Sequence, residues 1–318
     1  MKNTYGSKRK ASELLLPSDI KKKKVFVDST EKLLNSDRCV QAILKYLPIE
    51  DLANVSMASH FLKMNANIVF QTFHDASIDV YYDEVDPDDF HLVFRRFGSL
   101  ATKVKVTALY GDDDEDIFQG DGNKVLRIIG HFCGTNLKDL TLSRVEIDLS
   151  KSRSSKRHRE VRHLLGKLRK LTLINVCVRS RLLRYTTSLT ELMILNCRME
   201  KLPEVATLPR LKSLSIGACP HWPFIAGRKF NEFLRANPSI EKVDYHLNIV
   251  GDGHLNSICA LPKLTHLDII TVNYDTELSL LLASIGKKLK KLNIRGHSKF
   301  SELQNLLPSG CDFSFEEY

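Results

Sequence analysis

The stretch LTELMILNCRM, from Leu189 to Met199, constrains the fold of this chain more than any other. Its apolar residues stand at 189, 192, 194 and 199, with Cys197 between the last two. That spacing is neither the alternation of a half-buried strand nor the roughly 3.6-residue period of a helix. It returns in LKDLTLSRVEI from Leu137, LRKLTLINVCV from Leu168, LKSLSIGACPH from Leu211, IEKVDYHLNIV from Ile240, LTHLDIITVNY from Leu264 and LKKLNIRGHSK from Leu289. A weaker copy, ATKVKVTALY, begins at Ala101. From Leu137 the starts lie 31, 21, 22, 29, 24 and 25 residues apart.

A self-similar L-x-x-L-x-L unit at about 20–29 residues is the period of leucine-rich repeats. Each copy predicts a short strand whose leucines point into a core shared with the neighbouring coils, because one coil cannot bury its apolar side alone. The ninth position turns inward. Here it holds Val145, Val176, Cys197, Cys219, Asn248, Val272 and His297, a patchy polar ladder. Between the strands, VLRIIGHFCG (125–134) has helical spacing and ends in Gly134. KFNEFLRANPSI (229–240) turns Phe230, Phe233 and Leu234 inward, and DTELSLLLASIG offers Asp275 or Thr276 as an N-cap. The two shortest copies leave room for only a 3₁₀ turn. The expected fold is an α/β solenoid, a horseshoe with strands on the concave side and helices on the convex side.

Alternation on the strands forces the residues between the leucines outward. Thr141, Thr172, Met193, Ser215, Asp244, Asp268 and Asn293 are therefore candidate contacts to a bound protein on the concave face. Asp139, Lys170, Glu191, Ser213, Lys242, His266 and Lys291 share that orientation. Trp222, the only tryptophan, is either a binding hot spot or part of a core cap.

The segment before the repeats differs in kind. In residues 33–73, Val40, Ile43, Leu44 and Leu47 fall on one helical face, and Pro48 is expected to stop that helix. Glu50 and Asp51 favour the start of the next through its dipole. A unit this small has more apolar surface than it can hide, so it packs on something else. ILKYLPIEDLANVS resembles the F-box motif, and a leucine-rich array behind it resembles the F-box/leucine-rich-repeat family. FRRFGSLATKVKV and FCGTNLKDLTL are similar to stretches of that family. The resemblance implies a small all-α F-box-like domain docked on a Skp-type adaptor, and through it on a cullin–RING ubiquitin ligase, with the repeats holding the substrate. Leu34, Ile43, Leu44, Leu47, Pro48, Leu52 and Val55 match its adaptor-contact positions. The usual opening Leu-Pro stands here as Leu34-Asn35, and Leu62 takes the place of a tryptophan. Read without the resemblance, Ile43, Leu44 and Leu47 are ordinary intramolecular core; adaptor docking is the expectation taken forward.

Charge is segregated along the chain. Residues 1–32 carry nine basic and four acidic side chains, whereas 74–121 carry four and thirteen. Such segregation points to separate surfaces for separate partners. Lys8, Arg9 and Lys10, then Lys21, Lys22, Lys23 and Lys24, form two basic clusters ten residues apart, the pattern of a bipartite nuclear import signal in a disordered tail. Residues 74–99 read as an acidic linker between the helices and a repeat domain at 100–318. KSRSSKRHREVRH (151–163) reads as a basic surface loop, either bland or gripping an acidic substrate or nucleic-acid phosphates. No aromatic residue interleaves it, which argues against single-stranded nucleic acid.

No catalytic or cofactor motif occurs: there is no G-x-S-x-G, P-loop, H-E-x-x-H or G-x-G-x-x-G. Seven separated cysteines without a C-x-x-C pair fit a reducing compartment, and the eleven histidines do not cluster at metal-ligand spacing. No cofactor and no metal are expected. The N-terminus has no secretory signal and no apolar run spans a membrane. Three function classes remain: a non-catalytic substrate receptor of an SCF-type ligase in the nucleus or cytoplasm; a nuclear interaction scaffold whose helices only cap the repeats; and, more weakly, a nucleic-acid-associated protein.

Overall fold

The computed structural model describes residues 36–82, 87–108, 120–134, 136–149, 156–179, 181–199, 207–217, 228–246, 252–270, 276–296, 298–305, 307 and 309–317. The chain divides into two compact units, Met1–Val69 and Phe70–Tyr318. Leu34, the basic clusters at 8–10 and 21–24, the acidic run at 111–116, Cys219, Trp222, Asn248, Val272 and His297 lie outside the described residues.

In the first unit, α1 (Asp37–Leu44) and α2 (Ile49–Val55) precede α3 (His60–Thr72), whose last turn belongs to the second unit. Pro48 does not stop α1, as the sequence suggested. That helix ends at Leu44, and Lys45 N closes its last turn on Gln41 O at 3.0 Å. Pro48 instead opens α2: its φ of −53° is already near helical, and its carbonyl accepts Leu52 N at 2.9 Å. Ser59 caps α3, its Oγ accepting Leu62 N at 3.1 Å. Val40, Leu44, Ile49, Leu52, Ala53, Ala66 and Val69 are buried. Each such leucine contributes about 1.5–3 kcal/mol. Among them, Asn65 of α3 is also buried; its Nδ2 donates to Asp37 Oδ1 at 2.9 Å and its Oδ1 accepts from Gln41 Nε2 at 2.8 Å. That side chain ties the first helix to the third.

The second unit runs β1 (Ser77–Tyr81), α4 (Pro87–Phe97), β2 (Lys103–Thr107), β3 (Gly120–Asp121), α5 (Gly122–Phe132), β4 (Asp139–Ser143), β5 (Val145–Ile147), α6 (Lys156–Lys167), β6 (Lys170–Ile174) and β7 (Cys177–Val178). It continues through β8 (Glu191–Leu195), β9 (Arg198–Met199), β10 (Ser213–Gly217), α7 (Arg228–Ala236), β11 (Lys242–His246), α8 (Asp252–Cys259), β12 (His266–Ile270), α9 (Thr276–Gly286), β13 (Lys291–Gly296) and β14 (Asp312–Glu317). A 3₁₀ turn at Leu182–Tyr185 fills the 21-residue repeat.

Ten strands form one parallel sheet in the order β1-β2-β4-β6-β8-β10-β11-β12-β13-β14, and β3-β5-β7-β9 form a second, shorter one. Every strand of the large sheet pairs without stagger, so equivalent residues of successive repeats stand side by side. Leu140 lies beside Leu171, then Leu192, then Leu214. These leucines, with the row from Leu142 through Leu173 and Ile194 to Ile216, are buried. The unit is a leucine-rich-repeat solenoid with mixed α/β coils. Just after three consecutive strands, Arg144, Asn175 and Asn196 take positive φ of 60°, 54° and 48°. This left-handed step turns the chain from one sheet to the other and brings the buried Val145, Val176 and Cys197 inward.

Two segments depart from the sequence reading. Residues 74–99 are no linker: β1 pairs along its whole length with β2, and Phe90, Phe94 and Phe97 of α4 are buried. Phe97 stacks on Phe70 at 4.6 Å between ring centroids. The basic run at 151–163 is also no simple loop. From Lys156 it is helical, because Val161, Leu164 and Leu165 supply an apolar stripe that the charges had masked.

Candidate functional site

Side chains on the open side of the large sheet fall into three rows. The first runs Ser77, Lys103, Asp139, Lys170, Glu191, Ser213, Lys242, His266, Lys291, Asp312. The second runs Asp79, Lys105, Thr141, Thr172, Met193, Ser215, Asp244, Asp268, Asn293, Ser314. The third ends in Gly217, His246, Ile270, Arg295 and Glu316. All seven residues proposed from sequence for the concave face thus share one row. Thr172 and Ser215 are buried, however. They are short, and Met193 stands between them in the row. Sequence reading missed both ends of the row, Asp79, Lys105 and Ser314, because their strands lack the leading L-x-x-L.

Charge alternates along the first row at its N-terminal end. Lys103 pairs with Asp75, and Lys170 Nζ lies 3.7 Å from Glu191 Oε2. Burial raises the pKa of Asp139, while Lys170 and Lys103 on either side pull it back.

A second polar group gathers on β11, β12 and β13. Asp268 is its hub: Oδ1 accepts from His246 Nε2 at 3.2 Å and Oδ2 from Asn293 Nδ2 at 3.2 Å, with Arg295 3.9 Å away. The His246 hydrogen bond holds the Asp268 carboxyl below its ordinary pKa despite partial burial. Asn293 Oδ1 in turn accepts from Ser314 Oγ at 2.6 Å. Beside this satisfied carboxylate, Asp244 has the opposite character. Burial, then the charge of Asp268, pushes its pKa up. His266, its first-row neighbour, is lowered by burial and by Lys242, Lys290 and Lys291, and its Nδ1 contacts Thr265 Oγ1 at 2.9 Å. The group offers a fixed donor–acceptor pattern to a bound surface. Among the described residues, no three His, Cys, Asp or Glu side chains are placed to hold a metal ion.

Four of the described thiols, Cys133, Cys177, Cys197 and Cys259, are buried and take no part in this face. Cys133 and Cys259 are buried and pushed up to about 12, and Cys197 Sγ donates to Leu173 O at 3.3 Å.

In the first unit the residues matched to the F-box pattern separate by exposure. Leu44 and Leu52 are buried, Leu47 and Val55 half-buried, and Pro48 and Ile43 exposed, Ile43 at 60%. Leu44 and Leu52 are therefore core, which corrects their assignment as contacts. Tyr46, 79% exposed, and Met57, Met64 and Ile68 join Ile43 on the surface. Helical periodicity located the core stripe but gave no reason to suspect apolar residues on the other side.

No protein-family profile matches the chain, and no curated protein matches it. Among solved structures it is similar to a protein from Bacteroides fragilis, with 15% identity and TM-score 0.46 over 76% of this chain and 75% of that one. It is also similar to an internalin from Listeria monocytogenes, with 13% identity and TM-score 0.39 over 74% and 72%. The solenoid is defined by its own strand register and not by these likenesses.

Proposed function

We propose that the protein is a non-catalytic substrate-recognition subunit of an SCF-type ubiquitin ligase. The first unit docks a Skp-type adaptor and the strand face of the second holds the target. One observation carries this reading. The three-helix unit has a filled core of its own and still exposes Ile43, Tyr46, Met57, Met64 and Ile68. Large apolar side chains concentrated on so small a unit mark a protein-binding surface, and the unit carries the F-box-like sequence ILKYLPIEDLANVS. Catalysis then comes by proximity, the receptor holding a target lysine beside a conjugating enzyme that other subunits supply. The basic clusters at Lys8–Lys10 and Lys21–Lys24 serve nuclear import.

The test is capture of purified Skp-type adaptor by the intact chain, repeated with Ile43→Asp and Tyr46→Asp together. Capture by the native chain, lost in the double variant at unchanged helix content, supports adaptor docking. Failure of the native chain to capture, where a standard F-box protein does, rejects it.

A further inference from the structure

Strand β14 closes the order of the large sheet, and β13 is its only strand neighbour among the described residues. Asp312 N donates to Lys290 O at 2.8 Å, which sets the phase of the ladder. Asp312, Ser314 and Glu316 therefore turn their backbone groups to β13, and Phe313, Phe315 and Glu317 turn theirs away. Among the described residues no strand pairs with these outward N–H and C=O groups, and such a row is a template for another strand.

The side chains describe the same opening. At the inward positions of the other nine strands every residue is buried, Leu292 and Ile294 of β13 included. Phe313 and Phe315 occupy those positions on β14 and are only half-covered. The outward side chains Asp312 and Glu316 are 72% and 76% exposed, and their one basic neighbours stand on β13: Lys291 at 3.8 Å and Arg295 at 3.6 Å. Elsewhere in the sheet Asp79 meets Lys105 at 2.9 Å, and Asp139 has Lys103 on one side and Lys170 on the other. On the side of Asp312 and Glu316 away from β13, no basic residue stands among the described residues.

We infer that β14 receives an extended segment of a partner protein as an eleventh parallel strand. The segment alternates apolar residues, placed beside Phe313 and Phe315, with lysine or arginine beside Asp312 and Glu316. Main-chain hydrogen bonds supply affinity and the alternation supplies selectivity. The site is the outer edge of β14, although Asp312 and Glu316 also end the first and third rows of the strand face; its test does not depend on the ligase reading.

The probe is a fluorescent seven-residue peptide of alternating lysine and valine, with a glutamate-for-lysine peptide as control, followed by anisotropy against the full chain. The lysine peptide binds and the glutamate peptide does not. Glu317→Pro removes one outward N–H without touching the ladder to β13 or any buried side chain. It weakens binding at least tenfold at an unchanged melting temperature. Asp312→Lys weakens it as well, and more at low salt than at high. Absence of binding, equal binding of the two peptides, or indifference to Glu317→Pro overturns the proposal. So does light scattering that shows a self-associated chain which Glu317→Pro makes monomeric, because a second copy then occupies the edge.

Discussion

Asn237 Oδ1 accepts the backbone amide of Leu208 at 2.6 Å, across 29 positions of sequence. Asn237 Nδ2 also donates to Phe233 O at 2.7 Å, and the side chain is completely buried. One amide thus joins the C-terminal end of α7 to the coil before it. Replacing Asn237 with leucine keeps the branched shape but takes the acceptor from the Leu208 amide and the donor from the Phe233 carbonyl. The expected loss is about 1–3 kcal/mol, seen as a melting temperature lower by about 2–4 °C per kcal/mol. An unchanged melting temperature contradicts this role.

Asp244 and Asp268 are neighbours in one row with opposite pH behaviour. Asp268 has a depressed pKa, so its contribution to stability is present above the unfolded-chain value and disappears as pH falls through the lower folded value. Asp268→Asn should destabilise at pH 7, and the difference should shrink in acid. Asp244 has a raised pKa, so its charged form opposes folding near neutrality. Asp244→Asn should stabilise at pH 7, with the gain fading as pH falls through the folded value towards the unfolded one. Thermal melts of the three proteins from pH 7 down to about pH 2 check both signs, the Asp244 difference fading above the unfolded-chain value and the Asp268 difference below it.

Gly98 sits where a side chain does not fit. A Cβ there meets Phe94 O at 2.4 Å and Phe132 Cβ at 2.8 Å. Gly98→Ala forces the end of α4 away from α5 and costs about 1–3 kcal/mol, read by chemical denaturation.

The cysteines should sort by burial. Cys39 and Cys311 are half-exposed, whereas Cys133, Cys177, Cys197 and Cys259 are buried. Timed alkylation of the native protein at pH 8, with peptide mapping, should label the first pair well before the other four. Early labelling of Cys133 or Cys259, both at about 12, refutes the packing described.

At the helical unit, Ile43→Asp should leave the melting transition within about 0.5 kcal/mol of native, as exposed substitutions do. Leu44→Ala, one residue on, should cost about 2–5 kcal/mol. A reversed order contradicts the division between core and surface.

The seven L-x-x-L-x-L copies were legible because each leucine position meets its equivalent in the next coil, and all seven begin two residues before a strand of the large sheet. The ends were not. β1 is SIDVY and β14 is DFSFEE, so neither carries leucine, and the pairing with a neighbour that makes them strands leaves no mark within five or six residues. Helix α6 was hidden for a related reason, since its high charge outweighed three well-spaced apolar residues in any reading by composition. The middle row was predictable from alternation alone, but not the hub role of Asp268. His246, Asn293 and Arg295 reach it from two other coils, a relation no single repeat contains.

The absence of stagger between strands has an effect on variation. Each coil places its outward residues at fixed coordinates on a grid, with columns about 4.8 Å apart. Exchanging Met193 for another side chain alters one square of that grid and leaves the leucines beneath it alone. Such a surface can be rewritten one square at a time, without asking the chain to fold anew.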